Sequence, residues 1–459
     1  MLKVGIIGCG GIANGKHLPS LKKIPEVEMV AFCDIRPERA EKAAKEYGIP
    51  GAKVCTDYHE LLADPSIDVV HVLTPNREHA QISIDALYAG KHVMCEKPMA
   101  KCAADARRMV EAAAKTGKKL TIGYQNRHSA KADYLKKAIV RGDLGEIYFA
   151  EAIAMRRRGT PTWGVFLDEE EQGGGPLIDI GTHSLDLTLY LMDNYRPRMV
   201  VGTTYKKLPN PDNGNPWGPW DVEKNTVEDS AFGFIVMENG ATIILKSSWA
   251  LNIIEPCDAA ATVLCGTKAG AQIKNGELSI NKDDLGRTVN IYPQMGPGGA
   301  AFYNGVEASQ EYLEQRRFYD AILNDTELFT KPEQACVVSE ILEAIYTSAR
   351  TGKPVYFKDG KPVNKESKKD GQDTCGCGNH ADACGCSQPQ DDDIPLKAVD
   401  DIGRATAADV KEALHQVIDP ELGIDVIDLG LVYGIEIDEL GRAIITMTLT
   451  TPACPLTDL

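Results

Sequence analysis

The sequence predicts an α/β protein in three parts. A doubly wound parallel sheet comes first, then an α+β domain with a large, mostly antiparallel open sheet, then a small C-terminal α+β fragment. Three observations predict this. Strand-like and helix-like segments alternate over residues 1–123, as in a parallel sheet. From 124 to 355 longer strands take over, with an Asn-Gly turn in "MENGA" that signals a hairpin. Over 356–395 the chain turns to Lys, Gly, Asp and Cys with few large apolar residues, a linker composition. A third unit follows over 396–459.

In the first part, "KVGIIG", "VEMVAFCD", "DVVHVLTP", "KHVMCEK" and "KLTIGY" read as strands. The helical stretches "PERAEKAAKEYG", "REHAQISIDALYAG" and "AADARRMVEAAAKTG" lie between them, each stopped by Gly. In the second part, "EIYFAEAIAMRRR", "SAFGFIVMENGATIILKSSWA", "AATVLCG" and "RTVNIYP" read as strands, and "EYLEQRRFYDAIL" and "EQACVVSEILEAIYTSARTG" as two closing helices. The third part offers the helix "AADVKEALHQVI" and strands in "DPELGIDVIDLGLVYGIEI" and "RAIITMTLT".

The 459 residues suit about three domains. The net charge of -16 argues against a nucleic-acid partner, which wants a basic face, and against anionic membrane surfaces. No apolar run is long enough to span a bilayer, and "MLKVGIIGCGGIANGK" lacks the parts of a secretion signal. Most of the 13 cysteines stand singly in apolar runs, such as Cys33, Cys95 and Cys265. That pattern suits a reducing cytoplasm.

Gly8, Gly10 and Ala13 form G-x-G-x-x-A directly after the first strand. The first two glycines allow a tight turn and close approach of a pyrophosphate, and the helix that follows offers N–H groups to it. Asp34 ends the second strand about 20 residues further on, where an acidic residue binds the ribose hydroxyls. It favours NAD over NADP, while Arg36 leaves NADP open. A glycine-rich turn without a ligand is the alternative reading.

"MCEKPMA" follows a strand at the carboxyl edge of the sheet, where ligands bind in such folds. Lys97 there is either a group that polarises a substrate oxygen or a surface lysine before a turn proline. Asp179 and His183 stand i,i+4 in "GGGPLIDIGTHSLDLTLYLM" and so share a helix face. They read as a proton-shuttling pair or as a capping Asp with a core His. The triple glycine, Gly173 to Gly175, favours the first reading, because it lets backbone approach a ligand closely. Arg127, the Arg156–Arg158 run and Trp163 are pocket candidates. Each is equally well a packing or solvated residue. Trp217 and Trp220 in "GNPWGPWD" suit a lid or a contact between copies.

These pieces, with "GIIGCGGIA", "CDIRPERA", "LTPNREHA", "GYQNRH" and "EILEAIYTSARTGKPV", resemble the Gfo/Idh/MocA oxidoreductases in their order over residues 1–357. The resemblance implies a Rossmann dinucleotide-binding domain over 1–123 and a substrate-binding and oligomerisation domain over 124–355. It implies NAD(P)-dependent hydride transfer at a CH–OH group of a sugar, sugar derivative or cyclitol, with the chemistry carried by the cofactor. By position, Lys97 contacts substrate and nicotinamide, Asp179 binds substrate and His183 is the proton acceptor. Gly8, Gly10, Gly11, Ile12, Asp34, Arg36, Thr74, Pro75, Asn76, His79, Glu96 and Lys97 line the cofactor. Lys97, Arg127, Trp163, Asp179 and His183 line the substrate pocket. Copies of the chain are expected to pair through the antiparallel sheet as a dimer or tetramer. A second expectation within the family is glycoside cleavage by transient oxidation.

Residues 402–459 resemble the small iron–sulfur assembly domains of the PaaD and SufT-like group, with Cys454 on their metal-handling cysteine. That pattern continues for several elements this chain lacks, which reads as a truncated domain. Cys375, Cys377, Cys384 and Cys386 form C-x-C-x6-C-x-C in the linker, with His380 between them. They suit zinc or an iron–sulfur cluster, or else they are reduced thiols in a flexible linker. A third expectation is therefore an iron–sulfur or metal-handling factor whose oxidoreductase unit only binds.

Overall fold

The computed structural model describes residues 1–208, 214–257, 260–294, 309–358, 360–363, 432–437 and 443–447. The expected metal ligands Cys375, Cys377, Cys384, Cys386 and His380 lie outside the described residues, as does Cys454.

The first sheet has six parallel strands: β1 (Leu2–Ile7), β2 (Val27–Cys33), β3 (Lys53–Cys55), β4 (Val69–Val72), β5 (His92–Cys95) and β6 (Leu120–Ile122). Their order is 3-2-1-4-5-6, a doubly wound sheet. Helices Pro37–Tyr47, Asn76–Tyr88 and Ala103–Thr116 connect them where the sequence predicts helices. Gly90 and Gly117 follow two of these helices in the left-handed conformation that ends a helix. Strand β3 is short and largely exposed, so it carries no apolar run to announce it.

The second sheet has ten strands and is antiparallel except where Thr242–Ser248 runs beside Ile147–Met155. Ser230–Met237 and Thr242–Ser248 form the expected hairpin around Asn239 and Gly240. The sheet extends through Val355–Lys358 and Lys361–Val363, past the linker start expected at 356. Helix Thr182–Met192 lies buried beneath this sheet on nearly every side. Helix Pro332–Thr351 packs against strand Pro197–Tyr205 and helix Ala103–Thr116, and so spans both sheets. Helix Gln310–Leu323 corrects the sequence reading: it does not close the second sheet. It packs on the turn Ala13–His17 and helix Leu18–Leu21, and its Phe318 and Tyr319 join Val4, Ile6 and Leu73 in the core of the first sheet.

Two strands of the third unit are described, Val432–Ile437 and Ala443–Met447, paired antiparallel. No helix of the described residues is long and apolar enough to cross a membrane. Cys9, Cys33, Cys55, Cys95, Cys265 and Cys336 are free thiols.

Arg127 also departs from expectation. It is fully buried. Its Nε and Nη2 donate to Asp186 Oδ2 and Oδ1 at 2.9 and 2.6 Å, and Nη1 donates to Gln334 Oε1 at 2.7 Å. Its charge is taken up by a structural pair that joins the Gln125–His128 turn to helices Thr182–Met192 and Pro332–Thr351, so it does not face a pocket. Breaking such a pair leaves an uncompensated buried charge, at a cost of roughly 3–5 kcal/mol. Arg127→Met is therefore expected to lower the melting temperature markedly without raising the substrate KM. A raised KM at unchanged melting temperature would return Arg127 to the pocket.

Five histidines, His17, His71, His79, His128 and His183, are buried, and burial is the leading cause that lowers each pKa. The unfolded chain binds protons on them below about pH 6.5, while the folded chain does not until lower pH. Stability is thus present above that pH and is lost as pH falls through it, at up to about 1.4 kcal/mol per histidine per pH unit. Melting temperatures measured from pH 7.5 to 5 are expected to fall steadily. A flat profile would contradict the neutral burial of these rings.

Candidate active site

The site is built at the carboxyl edge of the first sheet, where β1, β2, β4 and β5 end together. Gly8 N–H donates to Cys33 O at 2.8 Å, Leu73 N–H to Ile7 O at 2.8 Å and Glu96 N–H to Val72 O at 3.0 Å. Gly8 needs to be glycine: its φ is +93° and a Cβ would stand 2.5 Å from Leu73 O. Gly10 and Gly11 differ, since a Cβ on either meets nothing within 4 Å. The loop is therefore closed below and open above. Asn14 Nδ2 locks it by donating to Cys9 O and Gly10 O at 2.9 and 2.8 Å. Asp34 Oδ2 accepts Cys9 N–H at 2.8 Å and Oδ1 accepts Arg36 N–H at 2.9 Å, which places the carboxylate beside the loop. Ile12 and Arg36 are exposed there.

Thr74 Oγ1 is buried with no hydrogen-bond partner among the described residues. An open glycine loop, an acid beside it and an orphaned hydroxyl at the next strand end fit a dinucleotide. Pro75 precedes helix Asn76–Tyr88. Two of the predicted cofactor residues also bond neighbouring backbone. Asn76 Nδ2 donates to Gln172 O at 3.0 Å. His79 is buried, with Nδ1 2.8 Å from Pro98 O and Nε2 2.9 Å from Thr74 O. The neutral ring donates its one N–H to one of these carbonyls and is held between the Pro98 and Thr74 segments.

Lys97 precedes a cis proline, Pro98. Its Nζ donates to Asp179 Oδ1 at 3.0 Å and to Asp179 O at 2.9 Å. Asp179 Oδ2 accepts Trp249 Nε1–H at 3.0 Å. Burial pushes the Asp179 carboxyl up, but Lys97, helped by Arg156, holds it below the usual carboxylate range. Burial, reinforced by the Lys97 charge, brings the His183 pKa down to about 3, so the ring is neutral near pH 7. His183 Nδ1 stands 3.3 Å from the Asn126 amide nitrogen. A neutral ring receiving that N–H carries its own proton on Nε2. Turning the amide by 180° presents an oxygen instead and leaves Nε2 free as a base. Lys97 and Asp179 are thus joined, His183 lies near enough to feel the charge of both, and Trp249 and Asn126 are further partners of Asp179 and His183.

Asp179 lies in a π-helical turn, Leu177–Gly181, that runs into helix Thr182–Met192. Such turns recur at functional sites. Glu228 caps its start, accepting Gly175 N–H at 2.9 Å, Leu177 N–H at 3.1 Å and Tyr346 O–H at 2.8 Å. The triple glycine has a different cause from the one expected. A Cβ on Gly173 would meet Lys101 Cγ at 2.5 Å, one on Gly174 the Tyr346 hydroxyl at 2.1 Å, and one on Gly175 Glu228 O at 2.4 Å. Protein, not ligand, makes the close approach.

Trp163 is 50% exposed and Trp217 43%, and their rings meet edge to face at 5.0 Å. Phe166 links Trp163 to Trp249 at 5.8 and 6.4 Å. An aromatic row thus leads from the surface to the indole that holds Asp179. The Arg156 guanidinium lies 5.4 Å from the Trp217 ring. The sequence motifs assign no role to Trp249, Asn126 or Glu228; the tryptophan closing "LKSSWA" and the asparagine in "GYQNRH" are the visible signals.

Comparisons with known proteins agree with this geometry. Residues 2–124 match the model of the oxidoreductase family with an NAD-binding Rossmann fold, and residues 133–272 match that of the GFO/IDH/MocA C-terminal domain. Residues 407–459 match an iron–sulfur cluster assembly protein. The chain is 35% identical to D-glucoside 3-dehydrogenase of Escherichia coli (strain K12) over 351 residues, 76% of this chain and 96% of that enzyme. It is 42% identical to inositol 2-dehydrogenase of Salmonella typhimurium over 147 residues, 32% of this chain and 43% of that one. Levoglucosan dehydrogenase in complex with NADH and levoglucosan shares the fold with a TM-score of 0.66 at 23% identity, covering 78% of this chain and 100% of that one. With the glycine loop, the Glu96–Lys97–Pro98 turn and the Asp179–His183 helix arranged as they are, the chain belongs to the Gfo/Idh/MocA family of NAD-binding oxidoreductases and carries an iron–sulfur assembly segment at its carboxyl end.

Proposed function

We propose that the chain oxidises one secondary hydroxyl of a sugar or glycoside, with a cyclitol as the related substrate class. The observations that carry this are the Lys97–Asp179 pair with the neutral His183 near it, and the open glycine loop at the same sheet edge as Lys97. Bound NAD+ supplies the hydride acceptor. Asp34 disfavours a 2'-phosphate, and the exposed Arg36 leaves NADP as a weaker alternative.

The protein groups then have distinct tasks. Asp179 keeps one carboxylate oxygen on Lys97 and the other on Trp249, with lone pairs left to orient a substrate hydroxyl. Lys97 stands where it stabilises negative charge on the reacting oxygen. With the Asn126 amide turned so that Oδ1 accepts the Nδ1 proton, neutral His183 takes the hydroxyl proton at Nε2. Hydride leaves the carbon as the proton leaves the oxygen, and the ketone results. Thr74, Glu96 and the glycine loop serve the cofactor side. The exposed Trp163 and Trp217 faces suit the apolar face of a second sugar ring or an aglycone.

Copies would pair through the outer face of the ten-stranded sheet, where Tyr205 and Phe234 are 41% and 43% exposed. The match over 407–459 favours a separate metal-handling role for the linker cysteines. Metal content of the purified chain with and without residues 375–386 separates that role from the enzyme.

The test is NAD+ reduction across glycosides, free sugars, sugar acids and inositols. Lys97→Ala and His183→Ala are each expected to lower kcat about 10²- to 10⁴-fold on the accepted substrate, as loss of a proton-transfer group does. NADH binding without turnover on any of these compounds would refute the proposal, and free sugar without net NADH would mark the cleavage route. Trp163→Ala is expected to raise the KM for glycosides about tenfold, in line with one lost stacking contact, and to leave kcat near its parent value. An unchanged KM would remove the aromatic row from the substrate site.

A further inference from the structure

Three buried polar groups that take no part in the reaction just described, Tyr319, His71 and His17, lead to Glu96. Tyr319, His71 and His17 are 0% exposed and Glu96 is 4% exposed. They come from four segments: helix Gln310–Leu323, β4, the turn Ala13–His17 and the end of β5. Tyr319 OH is 2.8 Å from His71 Nε2, His71 Nδ1 is 3.0 Å from His17 Nδ1, and His17 Nε2 is 2.7 Å from Glu96 Oε1.

This chain has one self-consistent direction. Burial pushes the Glu96 carboxyl up, but Lys16 and His17 pull it well below the usual range. An ionised carboxylate only accepts hydrogen bonds. His17 therefore donates from Nε2, and as a neutral ring it offers a lone pair at Nδ1. His71 must donate to it from Nδ1, which leaves His71 Nε2 as an acceptor. Tyr319 O–H fills that place. Any other choice with neutral rings sets two lone pairs or two protons face to face.

A strand core needs none of this. Residue 71 lies among Val69, Val70 and Val72, and Tyr319 lies beside Phe318. Valine and phenylalanine would fill much the same space without the cost of burying polar groups. The chain instead ends on the loop that carries Lys97. Glu96 Oε1 is held by His17 and by Lys16 Nζ at 2.6 Å, and Oε2 accepts Lys97 N–H at 3.1 Å. Lys16 also reaches Gln125 Oε1 at 3.2 Å and stands 2.9 Å from Glu314 Oε2.

We propose that His71 and Tyr319 are positioning residues for the Glu96–Lys97 turn. Glu96 sets the tautomer of His17, His17 sets that of His71, and Tyr319 fills the acceptor left at His71 Nε2. His17, with Lys16, pins Glu96 Oε1 so that Oε2 stays on the Lys97 amide. Lys97 then reaches Asp179 from a fixed backbone.

Solid-state NMR of the full chain with ¹⁵N-labelled histidine reads these tautomers at neutral pH. His71 is expected to carry its proton on Nδ1 and His17 on Nε2, with signals assigned from His71→Gln and His17→Gln. Either ring in the opposite tautomer, or doubly protonated, overturns the proposal. Tyr319→Phe keeps the ring volume and removes the donor. It is expected to leave both tautomers as they are, to strip His71 Nε2 of its donor, and to lower kcat about tenfold, the worth of one hydrogen bond in rate, with both KM values little changed. An unchanged kcat overturns the positioning role. So does a loss that vanishes when activity is counted per folded molecule. If Tyr319→Phe does not fold, position 17 decides. His17→Gln keeps a donor and an acceptor and is expected to retain more kcat than His17→Leu, and equal losses overturn the role. The kinetic arm rests on the dehydrogenase reading and the tautomer arm does not. A parent chain without turnover therefore counts against that reading alone.

Discussion

Lys97 comes from the turn after β5 and Asp179 from the helix under the second sheet, and their ion pair joins the two sheets at one point. Burying that pair removes two charges from water, and the geometry must be good and every remaining proton and lone pair satisfied to offset it. Much of the surrounding structure meets this demand. Trp249 takes the second carboxylate oxygen of Asp179. The Asp179 carbonyl takes a second hydrogen bond from Lys97. A small fraction of each partner stays exposed, 18% for Lys97 and 14% for Asp179.

Each partner is also held from behind. On the Asp179 side, Glu228 caps the helix start, and three glycines let Lys101, Tyr346 and Glu228 close around it. On the Lys97 side, Glu96 ties the amide to Lys16 and His17, and His79 ties Pro98 to the Thr74 loop. The outcome is a set of charges and dipoles fixed before substrate arrives. Such preorganised groups stabilise developing charge better than water, which must reorient first. The low His183 pKa belongs to the same arrangement. Burial and the neighbouring Lys97 charge keep the ring neutral, the form in which it can accept a proton.

Much of the fold was legible because local backbone needs are written in local residue types. Gly8 must be glycine for its positive φ, helix ends carry glycine, and buried parallel strands are runs of Val, Ile and Met. Strand β3 escaped because an exposed edge strand has no apolar run. Helix Gln310–Leu323 was visible as a helix, but its apolar face does not say which sheet it covers. The site divided in the same way. Lys97, Asp179 and His183 stand in short motifs. Arg127 stands in one too, yet Asp186, 59 residues away, takes its charge into the core. The glycine run was visible, but its cause was not, since Tyr346 and Glu228 lie far along the chain.

The sequence by itself determined the two sheet types, the nucleotide loop with its acid, and the residue types able to move a proton and a hydride. These follow from interactions within a few positions of one another, where periodicity and motif spacing are direct readouts of geometry. Only the tertiary structure decided which charged groups face a ligand and which are neutralised inside. It took Arg127 and His79 inward, brought Trp249 and Asn126 to the reacting groups, and set Tyr319 at the end of a chain that reaches Glu96. The physical reason is that a buried polar group is defined by its partner, and each of these partners comes from a distant segment that only packing brings near.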